Sequence, residues 1–303
     1  SCIMYDTIIV GCGVAGLTAA IYLARANKKV LMLEKEGIGG QIASSPKVEN
    51  YPGFQSISGM DLANALYEQV LNLGVEIELE EVVKIVPGKT KKVVTTDNEY
   101  ETKTIILATG SKYRRLNLDD EEDLIGNGIS FCVSCDGAFY KDKGVAVVGG
   151  GNSAAINAIS LSDLCKKVYI VQNLDFLTCE EKMKEDLSQK KNIEIIYHAE
   201  VKKLNHDENG LTGIEILENG KPRTISLDGM FISIGQTPAT EAFSNVIECS
   251  EDGYFLSTDT TTKESGIFVA GDCRTKKIKQ LTMATADGTQ SAIEAIDYLS
   301  KEA

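Results

Sequence analysis

The feature that most constrains this chain is a strand-turn-helix-strand unit that occurs twice. Thr7-Ile8-Ile9-Val10 is a short β-branched run, suited to a strand buried on both faces. Gly11-Cys12-Gly13-Val14-Ala15-Gly16 follows, then a helical stretch over about 17–25 and a second strand, Val30-Leu31-Met32-Leu33, ending on Glu34. Each part has a mechanical task in holding a dinucleotide. Gly11 permits the tight turn, Gly13 lets a pyrophosphate approach the backbone, and Gly16 lets the helix pack on the strand. The N–H groups at the helix start favour phosphate charge, and Glu34 can accept both hydroxyls of an adenosine ribose.

The same pattern returns as the run Val145-Ala146-Val147-Val148, the loop Gly149-Gly150-Gly151-Asn152-Ser153-Ala154, a helix over 153–164 and a strand over 168–171. We read this as an internal duplication. Each unit continues with short strands and ends on a buried one. In the first it is Thr104-Ile105-Ile106-Leu107-Ala108, closing on Thr109-Gly110. In the second it is Met230-Phe231-Ile232-Ser233-Ile234-Gly235. The expected fold class is therefore α/β, with two Rossmann-like nucleotide-binding units. Chain crossings are placed near 113–116 and near 241–246. Between them, Asp119-Asp120-Glu121-Glu122-Asp123 reads as a solvated loop. After Gly266-Ile267-Phe268-Val269-Ala270-Gly271-Asp272 comes a final helix from about 281 to 299. Its Gly288 weakens it unless something approaches the backbone there.

The chemistry is carried by Phe131-Cys132-Val133-Ser134-Cys135-Asp136-Gly137. The spacing lets two sulfurs cycle between dithiol and disulfide, and the adjacent Asp136 can move the proton that such cycling needs. The competing reading is half of a zinc site, which needs four ligands. Cys2, Cys12, Cys165, Cys179, Cys249 and Cys273 form no second such pair, and His198 and His206 lack zinc-finger spacing, so redox chemistry is favoured and no metal is expected. We read Cys12, Cys165 and Cys273 as space-filling, both histidines as structural, and assign Cys179 no role.

At 303 residues and 43% apolar content, the chain can build two ordinary cores. It has no apolar run that would span a bilayer, and its opening residues lack a charged-then-apolar pattern, so export is not expected. Its eight cysteines are unevenly spaced, unlike a secreted disulfide framework, and the expected compartment is the cytoplasm. A net charge of −13 argues against nucleic acid. An acidic protein partner would need a local basic patch. Candidates are Lys166-Lys167, Lys182 with Lys184, Lys190 and Lys191, and Lys276-Lys277 with Lys279.

Taken jointly, the first glycine loop, Gly39-Gly40-Gln41, Glu49-Asn50-Tyr51-Pro52-Gly53, Ala108-Thr109-Gly110, the Cys132–Cys135 stretch and the 266–272 run closely resemble the low-molecular-weight thioredoxin reductases, over nearly the whole chain. The resemblance implies three-layer ββα domains, the second inserted into the first: an FAD-binding domain from 1–113 and 242–303, and an NAD(P)H-type domain from 114–241 that carries the Cys pair. It also implies two hinge strands and a homodimer. The FAD cradle would comprise Gly11, Gly13, Ala15, Gly16, Glu34, Gly40, Gln41, Asn50, Ala108, Thr109, Gly110, Gly271, Asp272 and Gln280. Cys135 would face the flavin, Cys132 would attack the disulfide of thioredoxin, and Asp136 would shuttle the proton.

One departure bears on the electron donor. Where family members that use NADPH carry a His-Arg-Arg cluster, this chain has Gln172-Asn173-Leu174. A neutral amide cannot neutralise a 2′-phosphate, and Asp175, Glu180 and Glu181 would repel it. The expected donor is reduced ferredoxin, used by some branches of the family. The alternatives are an NAD(P)H-dependent reductase, a flavin dithiol oxidase using oxygen, and a flavin-bound redox sensor without turnover.

Overall fold

The structure is a computed structural model that describes residues 3–302; Cys2 lies outside them. The chain divides into two units, one running up to Lys112 and resuming at Thr237, the other Tyr113–Gln236.

The first unit opens with β1 (Met4–Val10), α1 (Val14–Arg25) and β2 (Val30–Leu33). All four residues of β2 and the last four of β1 are buried, as an apolar run covered on both faces requires. Then come α2 (Gly59–Asn72), β3 (Glu76–Glu78), β4 (Val82–Val86), β5 (Lys91–Thr95) and β6 (Glu99–Leu107). The Ser58 side chain caps α2 by accepting from the Asp61 N–H at 3.0 Å. The sheet order is β3-β2-β1-β6-β5-β4. β1, β2, β3 and β6 are parallel, and β4 and β5 turn back antiparallel.

The chain leaves along β7 (Ser111–Tyr113). The second unit holds α3 (Glu121–Leu124), β8 (Ile129–Ser130), α4 (Val133–Asp136), β9 (Gly144–Val148), α5 (Asn152–Leu164), β10 (Lys167–Val171), α6 (Glu181–Ser188) and β11 (Ile193–Ile196). It continues with β12 (Ala199–Asp207), β13 (Gly210–Glu218), β14 (Lys221–Ser226) and β15 (Gly229–Ile232). Its parallel sheet has the order β11-β10-β9-β15-β8, and β12-β13-β14 form a separate antiparallel sheet. The chain returns through β16 (Gln236–Pro238), then β17 (Ile267–Val269), which pairs with β6, and α7 (Leu281–Glu302).

In each unit the parallel sheet has a helical core on one side and a β layer on the other. In the first, Leu17, Leu23, Met32, Ile106 and Ala292 pack on the helical side, and Ile8, Ile85, Val93, Ile105 and Phe255 on the other. In the second, Val147, Ala158, Leu161 and Phe231 face the helices, and Ile214, Ile216, Met230 and Ile232 face the antiparallel sheet. This is the expected three-layer ββα arrangement, present twice, with the second unit's chain inserted in the first.

Three sequence expectations differ. The return crossing lies at Gln236–Thr237 rather than near 241–246, because β16 pairs with β7. The acidic run 119–123 is not all solvated loop. Glu121 is 2% exposed, and its carboxylate accepts from the N–H groups of Leu116 (3.0 Å) and Asn117 (3.4 Å), pinning the start of α3. Neither the strand β12 nor the helix α6 was expected: the burial of β12 does not alternate, and α6 is short, with only Met183 and Leu187 as apolar residues.

Gly288 sits where α7 crosses α1. A Cβ there would overlap the Ala15 carbonyl oxygen and lie 2.8 Å from Thr18 Cβ. Gly288→Ala improves helix propensity by about 1 kcal/mol, but overpacking costs about 1–3 kcal/mol and is expected to win. The variant should melt at lower temperature; a rise in Tm would show that the two helices do not touch there.

Candidate functional site

In the second unit, Cys132 and Cys135 are joined by a disulfide, with their Cα atoms 5.2 Å apart. The pair follows directly on β8, which is hydrogen-bonded to β15, so a sheet strand anchors it from behind. The Asp136 N–H donates to the Cys132 carbonyl at 3.0 Å and closes the turn. Cys135 is exposed, and Cys132 is half-buried with the Ser134 hydroxyl 3.5 Å from its sulfur. Asp136 is half-buried. Burial pushes its carboxyl up, and the Ser130 hydroxyl, which donates to Oδ2 at 2.5 Å, works against that shift. Phe131, just before the pair, is stacked on Tyr113 (5.0 Å between centroids) and covered by the Arg115 guanidinium at 4.5 Å. Such a group can take up two electrons at the disulfide and a proton at Asp136.

In the first unit, the expected cradle residues converge from four segments. A Cβ on Gly40 would lie 3.3 Å from Gly13 Cα, and one on Gly271 would lie 3.1 Å from Ala15 Cβ. A Cβ on Gly16 would collide with the Gly11 carbonyl, and one on Gly11 with the Ala108 carbonyl, so these chains meet backbone to backbone. Thr109 and Gly110 continue that backbone from Ala108. Glu34 is oriented by the N–H groups of Cys12 (2.9 Å) and Glu36 (3.0 Å), which leaves each carboxylate oxygen able to accept further bonds. The Gln41 amide donates to the Ser111 carbonyl. Asn50 is exposed, on a loop closed by the Val48–Ile57 backbone pair and tied to α7 through Tyr51 and Thr285 (3.3 Å). Gln280 stands at the start of α7, accepting from the Ala284 N–H at 3.0 Å.

Asp287, which sequence reasoning missed, organises the 271–276 turn. It is 4% exposed and takes a bidentate pair from Arg274 (2.8 and 3.0 Å), an ion pair from Lys276 (3.0 Å) and the Gly271 N–H (2.9 Å). Burial alone would push its carboxyl up. The guanidinium, the Gly271 amide and the ammonium outweigh that and hold it below the usual carboxylate range. Nothing local marks an Asp inside a helix as a hub for a turn more than ten residues earlier.

The second glycine loop is built differently from the first. The counterpart of Glu34 is Gln172, 4% exposed, whose Nε2 donates to the Phe176 carbonyl at 3.0 Å and whose amide lies against Gly150. The nearby lysines are paired: Lys184 with Glu181 (2.9 Å), Lys182 with Asp186 (3.3 Å) and Lys190 with Asp163 (2.9 Å). The lysine cluster of α6 is thus locally neutralised. Burial pushes the thiols of Cys12, Cys165, Cys179 and Cys273 up, consistent with inert packing. Among the described residues no helix is long and apolar enough to cross a membrane, and no cluster of His, Cys, Asp and Glu could hold a metal ion.

Asp272 tests whether the first cradle suits a nucleotide with a polyol chain. Its Oδ1 is buried with no partner among the described residues, as is Ser111 Oγ. Burial pushes the Asp272 carboxyl up, and the charges of Lys276 and Lys279 work against that. Buried acceptors of this kind are costly unless a hydroxyl or N–H reaches them, and a flavin's side chain offers hydroxyls. The residues fit the group.

A family model described as pyridine nucleotide-disulphide oxidoreductase matches residues 5–288. The thioredoxin reductase of Bacillus subtilis (strain 168) is 38% identical over 303 residues, covering 98% of this chain and 96% of that one. The 34.2 kDa protein in rubredoxin operon of Clostridium pasteurianum is 41% identical over 301 residues, 97% of each chain. The crystal structure of thioredoxin reductase from Streptococcus pyogenes MGAS5005 aligns with a TM-score of 0.96 at 36% identity, over 99% of this chain and 100% of that one. A match of this length, over a chain that carries the Cys132–Cys135 disulfide, means that the chain belongs to the pyridine nucleotide-disulphide oxidoreductase family and is a flavoprotein disulfide oxidoreductase related throughout to the thioredoxin reductases.

Proposed function

We propose that this protein is an FAD-dependent thioredoxin reductase whose electrons come from reduced ferredoxin rather than NADPH. The first half of the reading is carried by the Cys132–Cys135 pair beside Asp136, on a chain similar from end to end to named thioredoxin reductases. FAD would be held by the Gly11–Gly16 turn, Glu34, Gly40, Gln41, Asn50, the 108–110 backbone, Gly271, Asp272 and Gln280, and would supply two-electron transfer to the disulfide. Once reduced, Cys132 attacks the disulfide of thioredoxin as a thiolate. Cys135 then resolves the mixed disulfide, which restores the Cys132–Cys135 bond and releases thioredoxin as a dithiol. In this reading the protein acts in the cytoplasm as a homodimer.

The second half is carried by Gln172. Glu34 can present carboxylate oxygens to a ribose, whereas the corresponding amide is neutral, buried and donates one of its two N–H groups to Phe176. The next arginine in the chain, Arg223, is engaged by Glu194 (2.8 Å) and Glu218 (3.3 Å) rather than held ready for a 2′-phosphate. The retained loop at the start of α5 favours the second reading, a reductase that takes NAD(P)H there.

Anaerobic mixing of the oxidised yellow protein with each donor separates the two. Reduced ferredoxin should bleach the flavin rapidly, and micromolar NADPH or NADH should not. Rapid bleaching by NADPH would overturn the donor and leave the acceptor standing. Failure to reduce thioredoxin with any donor would leave only a sensor or, if oxygen is consumed with dithiol substrates, an oxidase.

A further inference from the structure

The dithiol centre contains a residue to which the sequence assigned no task. Ser130 is the last residue of β8 and is 4% exposed. Its position is set by the sheet, through the register of Ser130 with Phe231. Its Oγ donates to Asp136 Oδ2 at 2.5 Å and accepts from the Cys132 N–H at 3.2 Å. One hydroxyl thus joins the first cysteine of the pair to the carboxyl beside the second.

We propose that Ser130 is a positioning residue of the dithiol centre, fixing the Asp136 carboxyl against the Cys132–Cys135 turn and setting when that carboxyl holds a proton. The inference rests on the reading of Asp136 as proton carrier. When Cys135, its own proton already lost to water, attacks the mixed disulfide as a thiolate, the Cys132–Cys135 bond forms and the bond from Cys132 to the partner sulfur breaks. The departing thiolate takes the proton of Asp136, which is left as a carboxylate and regains a proton from water.

The groups acting on Asp136 are few. Burial favours its neutral acid, the form that can donate, and among the described residues no cationic side chain works against that. The Ser130 O–H, donated to Oδ2, favours the ionised form. Tyr140 faces the same carboxyl, but its phenol is pushed up to about 12 by burial, Asp136 and Asp228, and stays neutral across a working pH range. Ser130 is therefore the group in the surroundings that limits how far the Asp136 proton affinity can rise. Removing its hydroxyl should raise that affinity. The acid form would then survive to higher pH, and the alkaline limb of the pH–rate profile would move up.

The test compares Ser130→Ala, Ser130→Thr, Asp136→Asn and the Ser130→Ala/Asp136→Asn double variant as flavin-loaded proteins. The pH dependence of thioredoxin reduction is followed, together with the pH dependence of iodoacetamide alkylation of the prereduced Cys pair. Ser130→Ala should shift the alkaline limb upward by about one pH unit, and Ser130→Thr, which keeps the hydroxyl, should leave it near the wild-type position. In the Asp136→Asn background, Ser130→Ala should change the rate less than about twofold, since the two residues act as one unit. An unmoved limb in Ser130→Ala, with Asp136→Asn clearly slowed, would overturn the role of Ser130 alone. Wild-type turnover in Asp136→Asn would overturn the proton-carrier reading and this inference with it. If Ser130→Ala does not fold, Ser130→Gly, which also lacks the hydroxyl, takes its place: an alkaline limb moved upward only when Asp136 is present supports the proposal, and an unmoved limb overturns it.

Discussion

Cys132→Ser and Cys135→Ser should each leave a yellow, folded protein whose thioredoxin reduction falls by on the order of 10³-fold or more, to the background of uncatalysed exchange. The physical reason is that disulfide exchange needs a sulfur to attack and a second sulfur to resolve, and a serine hydroxyl does neither near neutral pH. Flavin retention should be intact, because the cradle is built from residues before Lys112 and after Thr237, whereas both cysteines lie in Tyr113–Gln236. The two variants should differ in one respect. If Cys132 is the attacking sulfur, Cys135→Ser should trap thioredoxin as a stable mixed disulfide on Cys132, visible by mass spectrometry under non-reducing conditions. Cys132→Ser should not, since the remaining Cys135 is the resolving sulfur. Turnover that survives in either variant would remove the dithiol relay from the reading.

Asp287→Asn should have the largest effect on the first unit. It keeps the shape of the side chain but leaves the Arg274 and Lys276 charges, both largely buried, without their counter-ion. Breaking a buried ion pair from one side costs about 3–5 kcal/mol, because the surviving charge remains desolvated. For a unit of this size that corresponds to a fall in Tm of roughly 6–20 °C. The variant should also lose flavin on gel filtration, since Asp287 holds the Gly271 N–H and with it the turn that presents Asp272. The sign of the pH dependence follows from the lowered Asp287 carboxyl. Its stabilisation is fully present above the usual carboxylate range and is lost as pH falls through and below that range. Wild type and Asp287→Asn should therefore converge in Tm on acidification. An Asp287→Asn protein that melts like wild type and keeps its flavin would show that the cluster is not load-sharing with the cradle.

The α/β architecture and its duplication were legible because their signals are local. A buried strand, a glycine loop, a helix and an acid follow one another within about thirty residues, and each needs only its neighbours to be recognised. The cysteine pair was legible for the same reason: two sulfurs three positions apart can meet with no help from the rest of the chain. Gly288 stood between the two cases. Its oddity in a helix was visible, but only the crossing of α1, some 270 residues earlier in the chain, explains it.

The residues that the sequence left silent are those whose role is a partnership across the fold. Ser130 is one serine among many until β8 places its hydroxyl between Cys132 and Asp136. Glu121 looked solvated within an acidic run until the chain folded its carboxylate under the Leu116 and Asn117 amides. Asp287 acquires meaning only where α7 meets the turn after β17. Sequence alone determined what can be bonded within a few residues, namely the glycine turns and the Cys132–Cys135 pair. Tertiary structure decided which polar groups are buried and with whom, because removal from water makes a hydrogen bond or an ion pair obligatory, and removal from water is a property of the packed chain and not of any one segment.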